Sequence, residues 1–226
     1  MLNSLFKTFD NIIVFDVETT GFKAGYDEII EIAMLRVISD NDIPVIKSEL
    51  ETLIQLSQGR SLPDRITQLT GITEQDLTEN GVAKEEACNK IVEMLDCSKP
   101  VLAAYNAQFD LGFLLHLLSQ QNKAKVLKNI KMLDVMTVYK DRKPFPHTLG
   151  DAVEAYSLEI KNAHRALGDT YLTYNVLCEM GKELDDIEHY INLFGYNPKY
   201  GISGKKISSI KYKPQGYDSI IKLYEA

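Results

Sequence analysis

The sequence predicts an α/β protein built on a mixed sheet, an antiparallel meander followed by parallel strands, with helices on both faces. Three observations carry this. Three apolar, partly alternating runs crowd into residues 11–56 with only short breaks between them, which implies an antiparallel meander. Beyond them the pattern changes to helical segments interleaved with isolated short strands, the pattern of a sheet covered on two sides. No internal repeat or low-complexity tract competes with this reading. A chain of 226 residues that is 45% apolar and 25% charged fits one ordinary globular domain with an appendage.

The first strand is expected over 11–17 and the second over EIIEIAMLRV at 28–37. The third crosses IPVIKSELETLI after a turn at SDND, 39–42. VAKEEACNKIVEMLD at 82–96 reads as a helix, and VLAAY at 101–105, following Pro100, as a short apolar strand. A helix follows over 110–121, another over TLGDAVEAYSL, and a long one through RALGDTYLTYNVLCEM. A soft boundary near 181–186 divides a main domain, 1–182, from a C-terminal appendage, 183–226. In the appendage the composition changes to Tyr, Lys, Gly and Pro, and half of the twelve tyrosines fall in the last 37 residues.

Composition removes several function classes. The longest apolar runs, such as LGFLLHLL, are too short to span a bilayer. The start MLNSLFKTFDN has no basic n-region, extended apolar run or cleavage site, so a cytoplasmic protein is expected, with no membrane partner. Cys88, Cys97 and Cys178 have no metal-binding spacing, and their odd number argues against a disulfide framework. Net charge −7 argues against a general grip on duplex nucleic acid. The charge is uneven, however. Residues 190–226 hold six lysines against Asp218 and Glu225, an excess of +4, which leaves −11 on the remainder.

FDVETTG, 15–21, closes the first apolar run with Asp16 and Glu18 two residues apart. Side chains alternate along a strand, so both carboxylates point to one face, where a divalent cation is the obvious compensator for two crowded like charges. Two later stretches supply partners. In YNAQFDLGFLL, Asp110 sits at the start of a helix directly after a strand end. In NAHRALGDTYL, His164 precedes Asp169 by five residues. On one helix that spacing sets the two side chains about 140° apart, so they share a site only if His164 lies in the loop or first turn while Asp169 is already helical. Four carboxylates balance two divalent ions, and oxygen-only ligands suit Mg²⁺ or Mn²⁺. Two such ions about 4 Å apart serve in-line displacement at phosphorus, one activating water and the other stabilising the leaving oxygen. A neutral histidine, with an ordinary pKa of about 6.5, can accept the water's proton.

FDVETTG, NAQFD and HRALGD, in this order and at these separations, resemble the three motifs of the DEDDh, or DnaQ-like, 3′–5′ exonucleases. That superfamily includes the proofreading epsilon subunit of bacterial DNA polymerase III and the exonuclease domain inserted in Gram-positive replicative polymerases. LTGIT, 69–73, is similar to a segment found between the first two motifs in the epsilon-like branch. The resemblance covers about residues 10–180. It implies a ribonuclease H-like fold, with Asp16, Glu18 and Asp169 as metal ligands, Asp110 completing the acidic set and His164 as general base. It further implies that Thr19 and Thr20 line the terminal nucleotide's site and that Asn106 orients the second motif. Tyr105 stands where many relatives carry His.

Other residues draw plainer readings. His116 is a helix-face residue, and His147 and His189 sit among loop or surface signals. Asp134, in MLDVMTV, is preferred as the cap of a helix after a short strand over an acid behind the site. GISGKK, 201–206, fails the phosphate-loop pattern and reads as a turn. The Lys/Tyr tail reads first as structural, a small hairpin closing one edge or a dock for a polymerase, and second as a contact for single-stranded nucleic acid. The expected activity is metal-dependent removal of nucleoside 5′-monophosphates from the 3′ end of single-stranded or frayed DNA, in proofreading or repair, with any polymerase partner acting in trans. The rivals are an exoribonuclease trimming RNA 3′ ends, a non-catalytic polymerase-associated module, and endonucleolytic cleavage.

Overall fold

The computed structural model describes residues 2–159, 165–217 and 221–226. A short helix, α1 (Asn3–Phe6), leads into β1 (Asn11–Thr19), β2 (Ile29–Asp40) and β3 (Ile43–Leu53). Next come α2 (Asp64–Thr70), α3 (Glu74–Glu79), α4 (Lys84–Leu95), β4 (Pro100–Ala104), α5 (Ala107–Gln120) and β5 (Lys131–Asp134). The chain continues through α6 (Val135–Lys140), α7 (Leu149–Ala155), α8 (Ala166–Glu183), β6 (Leu193–Tyr196) and β7 (Lys211–Pro214). The five-stranded sheet has the order β3-β2-β1-β4-β5. Its β1–β2 and β2–β3 ladders are antiparallel, and β1–β4 and β4–β5 are parallel. The predicted mixed sheet, meander first and parallel strands after, is the one observed.

The apolar run of β1 is continuous because both faces of the sheet are covered. Ile13, Phe15 and Val17 enter the core formed with α4 and α5. Ile12 and Val14 enter the opposite core, formed with α8. Strand parity therefore sends Asp16 and Glu18 to the α8 face. The turn expected at 39–42 narrows to Asn41 and Asp42, both at positive φ (51° and 63°), the two-residue geometry that matches strand twist. LTGIT joins two short helices that the sequence reading leaves unassigned. Gly71 (φ 75°) ends α2, and Thr73 opens α3 in a reciprocal cap with Asp76.

The tail is not a hairpin. β6 and β7 pair in parallel, with residues 197–210 crossing between them. The tail is held against β5 and α6: Asn192 exchanges hydrogen bonds with Met132, and Gly195 N–H donates to Thr137 Oγ1 at 2.9 Å. A Cβ at Gly195 would stand 1.9 Å from Gln215 Oε1, so a side chain there would have to displace the buried Gln215. Phe194 and Ile210 join the α5-side core, and Tyr190, Leu193 and Leu223 the α8-side core. The three cysteines are free. Among the described residues no helix is long and apolar enough to cross a membrane.

Candidate active site

The parallel strands β1, β4 and β5 end at one edge of the sheet, and the acidic residues gather there. Asp16 and Glu18 reach it from the end of β1. Asp169 reaches it from α8, which packs across β1 and β2. One carboxylate oxygen from each of the three lies within 4.8 Å of the others. Asp110 is buried and stands outside that cluster, yet the backbone N–H of Val17 bonds its carboxylate, which sets it against the segment joining Asp16 to Glu18. Asp110 does not start its helix, as the sequence suggested. It is the fourth residue of α5, as Asp169 is the fourth of α8, so each carboxylate projects from a first helical turn. The helix N-terminus there favours negative charge.

These carboxyls are held far from their ordinary state. Burial, then Asp110, Asp169, Glu18 and Glu31, push Asp16 well above the usual carboxylate range. Burial and then Asp169 and Glu31 raise Glu18 to about 7, opposed by Arg165. Burial also raises Asp110 strongly. Such a cluster is short of positive charge, and hard oxygen donors alone suit Mg²⁺ or Mn²⁺. The donor set therefore fits divalent ions.

Two residues that the sequence reading missed hold the cluster together. Glu31 faces Glu18 directly across the β1–β2 ladder and is fully buried. Arg165 donates to it from Nε (3.0 and 3.2 Å) and Nη2 (2.5 Å), and Ala166 N–H donates to Glu31 Oε2 at 2.9 Å. Glu31 thus caps α8 and fixes the start of the helix that presents Asp169. The signal was present, as a lone acid inside the apolar run IIEIAML.

The remaining predicted residues sit as follows. Asp169 is helical and α8 begins at Ala166, while His164 lies outside the described residues. Thr19 Oγ1 donates to Gly21 O at 2.6 Å, and Thr20 Oγ1 accepts from Glu28 N–H at 3.0 Å, so both hydroxyls shape the turn after β1. Asn106 occupies the left-handed region (φ 62°) between β4 and α5, and its carbonyl accepts from Phe109 N–H at 2.9 Å. It directs the second motif through its backbone. Tyr105 is buried and donates to the carbonyls of His147 and Thr148. His147 is buried rather than on the surface, with Nε2 3.0 Å from Lys143 O. Asp134 stands at the N-cap position of α6, but its carboxylate caps the neighbouring helix. It accepts from Ala107 N–H, the first residue of α5, at 3.0 Å, and from Thr137 Oγ1 at 2.5 Å.

Comparison with known families decides the assignment. The RNase_T model, described as exonuclease, matches residues 13–177, which span all three motifs. The chain belongs to the RNase_T exonuclease family. The resemblance to DEDDh exonucleases drawn from the motifs is borne out. Among curated relatives of this exonuclease domain, the PolC-type DNA polymerase III of Bacillus subtilis is 30% identical over 176 residues, 77% of this chain and 12% of the polymerase. That of Clostridium perfringens is 29% identical over 194 residues, 84% of this chain and again 12% of the polymerase. The chain thus spans about an eighth of the polymerases it matches. Among solved structures, a zinc-bound E. coli exonuclease I complex with single-stranded DNA superposes with TM-score 0.71 at 18% identity, covering 80% of this chain and 42% of that one. Exonuclease I from Methylocaldum szegediense gives 0.66 at 19% identity, covering 77% and 40%. The fold is the ribonuclease H-like fold of these enzymes.

Proposed function

We propose that this chain is a metal-dependent 3′–5′ exonuclease that removes nucleoside 5′-monophosphates from single-stranded or frayed DNA ends. The observation that carries the reading is the convergence of Asp16, Glu18 and Asp169 within 4.8 Å at the carboxyl edge of the sheet. Asp110, set against the same stretch of β1, completes the acidic set. These four would hold two divalent ions, Mg²⁺ or Mn²⁺. When bound, the ions supply positive charge at the scissile phosphate and ready water for attack at neutral pH.

The chain's own residues do the rest. His164 accepts the proton of the attacking water, in the motif one residue before the arginine that clasps Glu31. Thr19 and Thr20 fix the turn against which the terminal nucleotide lies, and Asn106 aims the helix that brings Asp110. The PolC-type relatives favour DNA as substrate and association with a polymerase.

The test is product analysis on a 5′-labelled single-stranded DNA oligomer and its RNA twin, with Mg²⁺ or Mn²⁺ and with chelator. A metal-dependent ladder shrinking one nucleotide at a time from the 3′ end, faster on DNA, supports the reading. Faster loss of RNA would make the protein an exoribonuclease, since the 2′-OH is the discriminating group. Ions bound with neither strand shortened would leave a non-catalytic module, and cleavage of a circular strand would show an endonuclease.

A further inference from the structure

A trough of about 800 Å³ runs along the outward face of α5, and none of the roles above uses it. One bank is the loop after Gly21, and the other is the 203–209 loop of the C-terminal segment. Leu111, Leu115, Leu127 and Met132 give it an apolar lining. Its lysines are Lys23 on one bank, Lys205 and Lys206 on the other, and Lys128, and among the described residues no carboxylate lines it. In a chain of net charge −7 this is a local reversal of sign.

The outer bank is tied in place. The Gln108 side-chain amide donates to the carbonyls of Ser203 and Lys205, both at 2.9 Å. Tyr212 OH donates to Gln108 Oε1 at 2.6 Å and accepts from Ile207 N–H at 2.9 Å. Gly201 and Gly204, at φ 72° and 67°, make the bends that this loop needs. Lys205 and Lys206 are exposed, yet their backbone is anchored to a residue only two positions before Asp110. The anchored loop lies outside residues 13–177, the span that the family model matches. At the trough's upper end Phe22 is 75% exposed, and its ring meets that of Phe109 at 6.5 Å.

We infer that this trough is the track for the single strand leading to the proposed site, with the C-terminal segment supplying its outer wall. Phosphates of the upstream nucleotides lie against Lys23, Lys128, Lys205 and Lys206, and their bases pack on the apolar face of α5. Lysines on both banks, an apolar floor and an end lined by Gln108 and Phe109, the two residues directly before Asp110, fit a single strand, while the −11 carried outside residues 190–226 opposes a broad duplex footprint. The strand's direction rests on the exonuclease reading; its binding does not.

The test is fluorescence anisotropy with labelled oligothymidylates of about 12 and about three nucleotides, with Ca²⁺ in place of Mg²⁺, for the parent, K205A/K206A, Q108A and the surface control K7A/K47A. The lysine variant should bind the long strand roughly tenfold more weakly, and its salt slope should fall by about 1.4, that of two lost phosphate contacts. The short strand should be unaffected. Q108A keeps every lysine but unties the loop, and should lose part of the same affinity. Unchanged long-strand affinity in K205A/K206A, or an equal loss in K7A/K47A, would overturn the track. Lysine-dependent binding without nucleotide release in Mg²⁺ would keep the track and remove the exonuclease reading. Nucleotide release with unchanged binding would do the reverse.

Discussion

Glu31 and Arg165 form a clasp 134 residues apart in sequence, in which a fully buried carboxylate on β2 receives both Nε and Nη2 of the arginine that precedes α8. The clasp sets the register between the strand bearing Asp16 and Glu18 and the helix bearing Asp169. Breaking a buried pair by removing one partner leaves the other charge uncompensated. Arg165 is 43% exposed, so solvent relieves part of this. R165A should lower stability by about 2 kcal/mol in denaturant unfolding and reduce the nucleolytic rate with it. E31Q keeps the shape of the side chain and a hydrogen bond to Ala166 N–H, and should fall between R165A and the parent in both measurements.

The crowded carboxyls make stability depend on ions and on pH. Burial and the neighbouring acids raise Glu18 from its ordinary value to about 7, so in the metal-free protein its contribution is fully present below about pH 4.5 and is lost as pH rises through about 7. Divalent ions should restore what is lost. The rise in melting temperature on adding Mn²⁺ should therefore be larger at pH 8 than at pH 6. It should disappear in D16N, whose cluster has lost a ligand.

Asp134 links the second motif to β5. D134A removes the acceptor for Ala107 N–H and for Thr137 Oγ1, leaving two buried donors unpaired. A loss of about 2–4 kcal/mol is expected by thermal unfolding. Because α5 carries Asp110, the nucleolytic rate should drop by more than the folded fraction does.

Acid should loosen the C-terminal segment first. Asp186 is partly buried, which alone would raise its carboxyl, but hydrogen bonds from Lys222, Tyr224 and Arg142, with the charge of Arg142, hold it below the usual range. A lowered pKa means stability that is present above the ordinary value and lost as pH falls through the folded one. Below about pH 4 the contacts of Lys222 and Tyr224 to Asp186 should release. Amide exchange in residues 221–226 should then rise before that in β1. D186N should shift this release to neutral pH.

Much of this architecture is legible in the sequence, for local reasons. Strand parity alone puts Asp16 and Glu18 on one face, and the short gaps among the first three strands force the meander. The start of α5 was misjudged by three residues because Asn106 turns the chain in a left-handed conformation that no apolar periodicity announces. Contacts across long separations were illegible: Glu31 with Arg165, Asp134 with Ala107, and Gln108 with the 203–209 loop. Each depends on which elements become neighbours in the sheet. Of the readings open for the tail, the small hairpin does not form, because 197–210 is long enough to return and pair β6 and β7 in parallel.

The most direct test of the central claim is the single-turnover rate of terminal nucleotide release from a 5′-labelled DNA strand, measured against Mn²⁺ concentration for the parent and D169N. The account predicts a rate that rises with Mn²⁺ in the parent and a loss of at least about a thousandfold in D169N, with the fold intact by circular dichroism. A D169N rate within a few fold of the parent, or a parent rate indifferent to chelator, would contradict it.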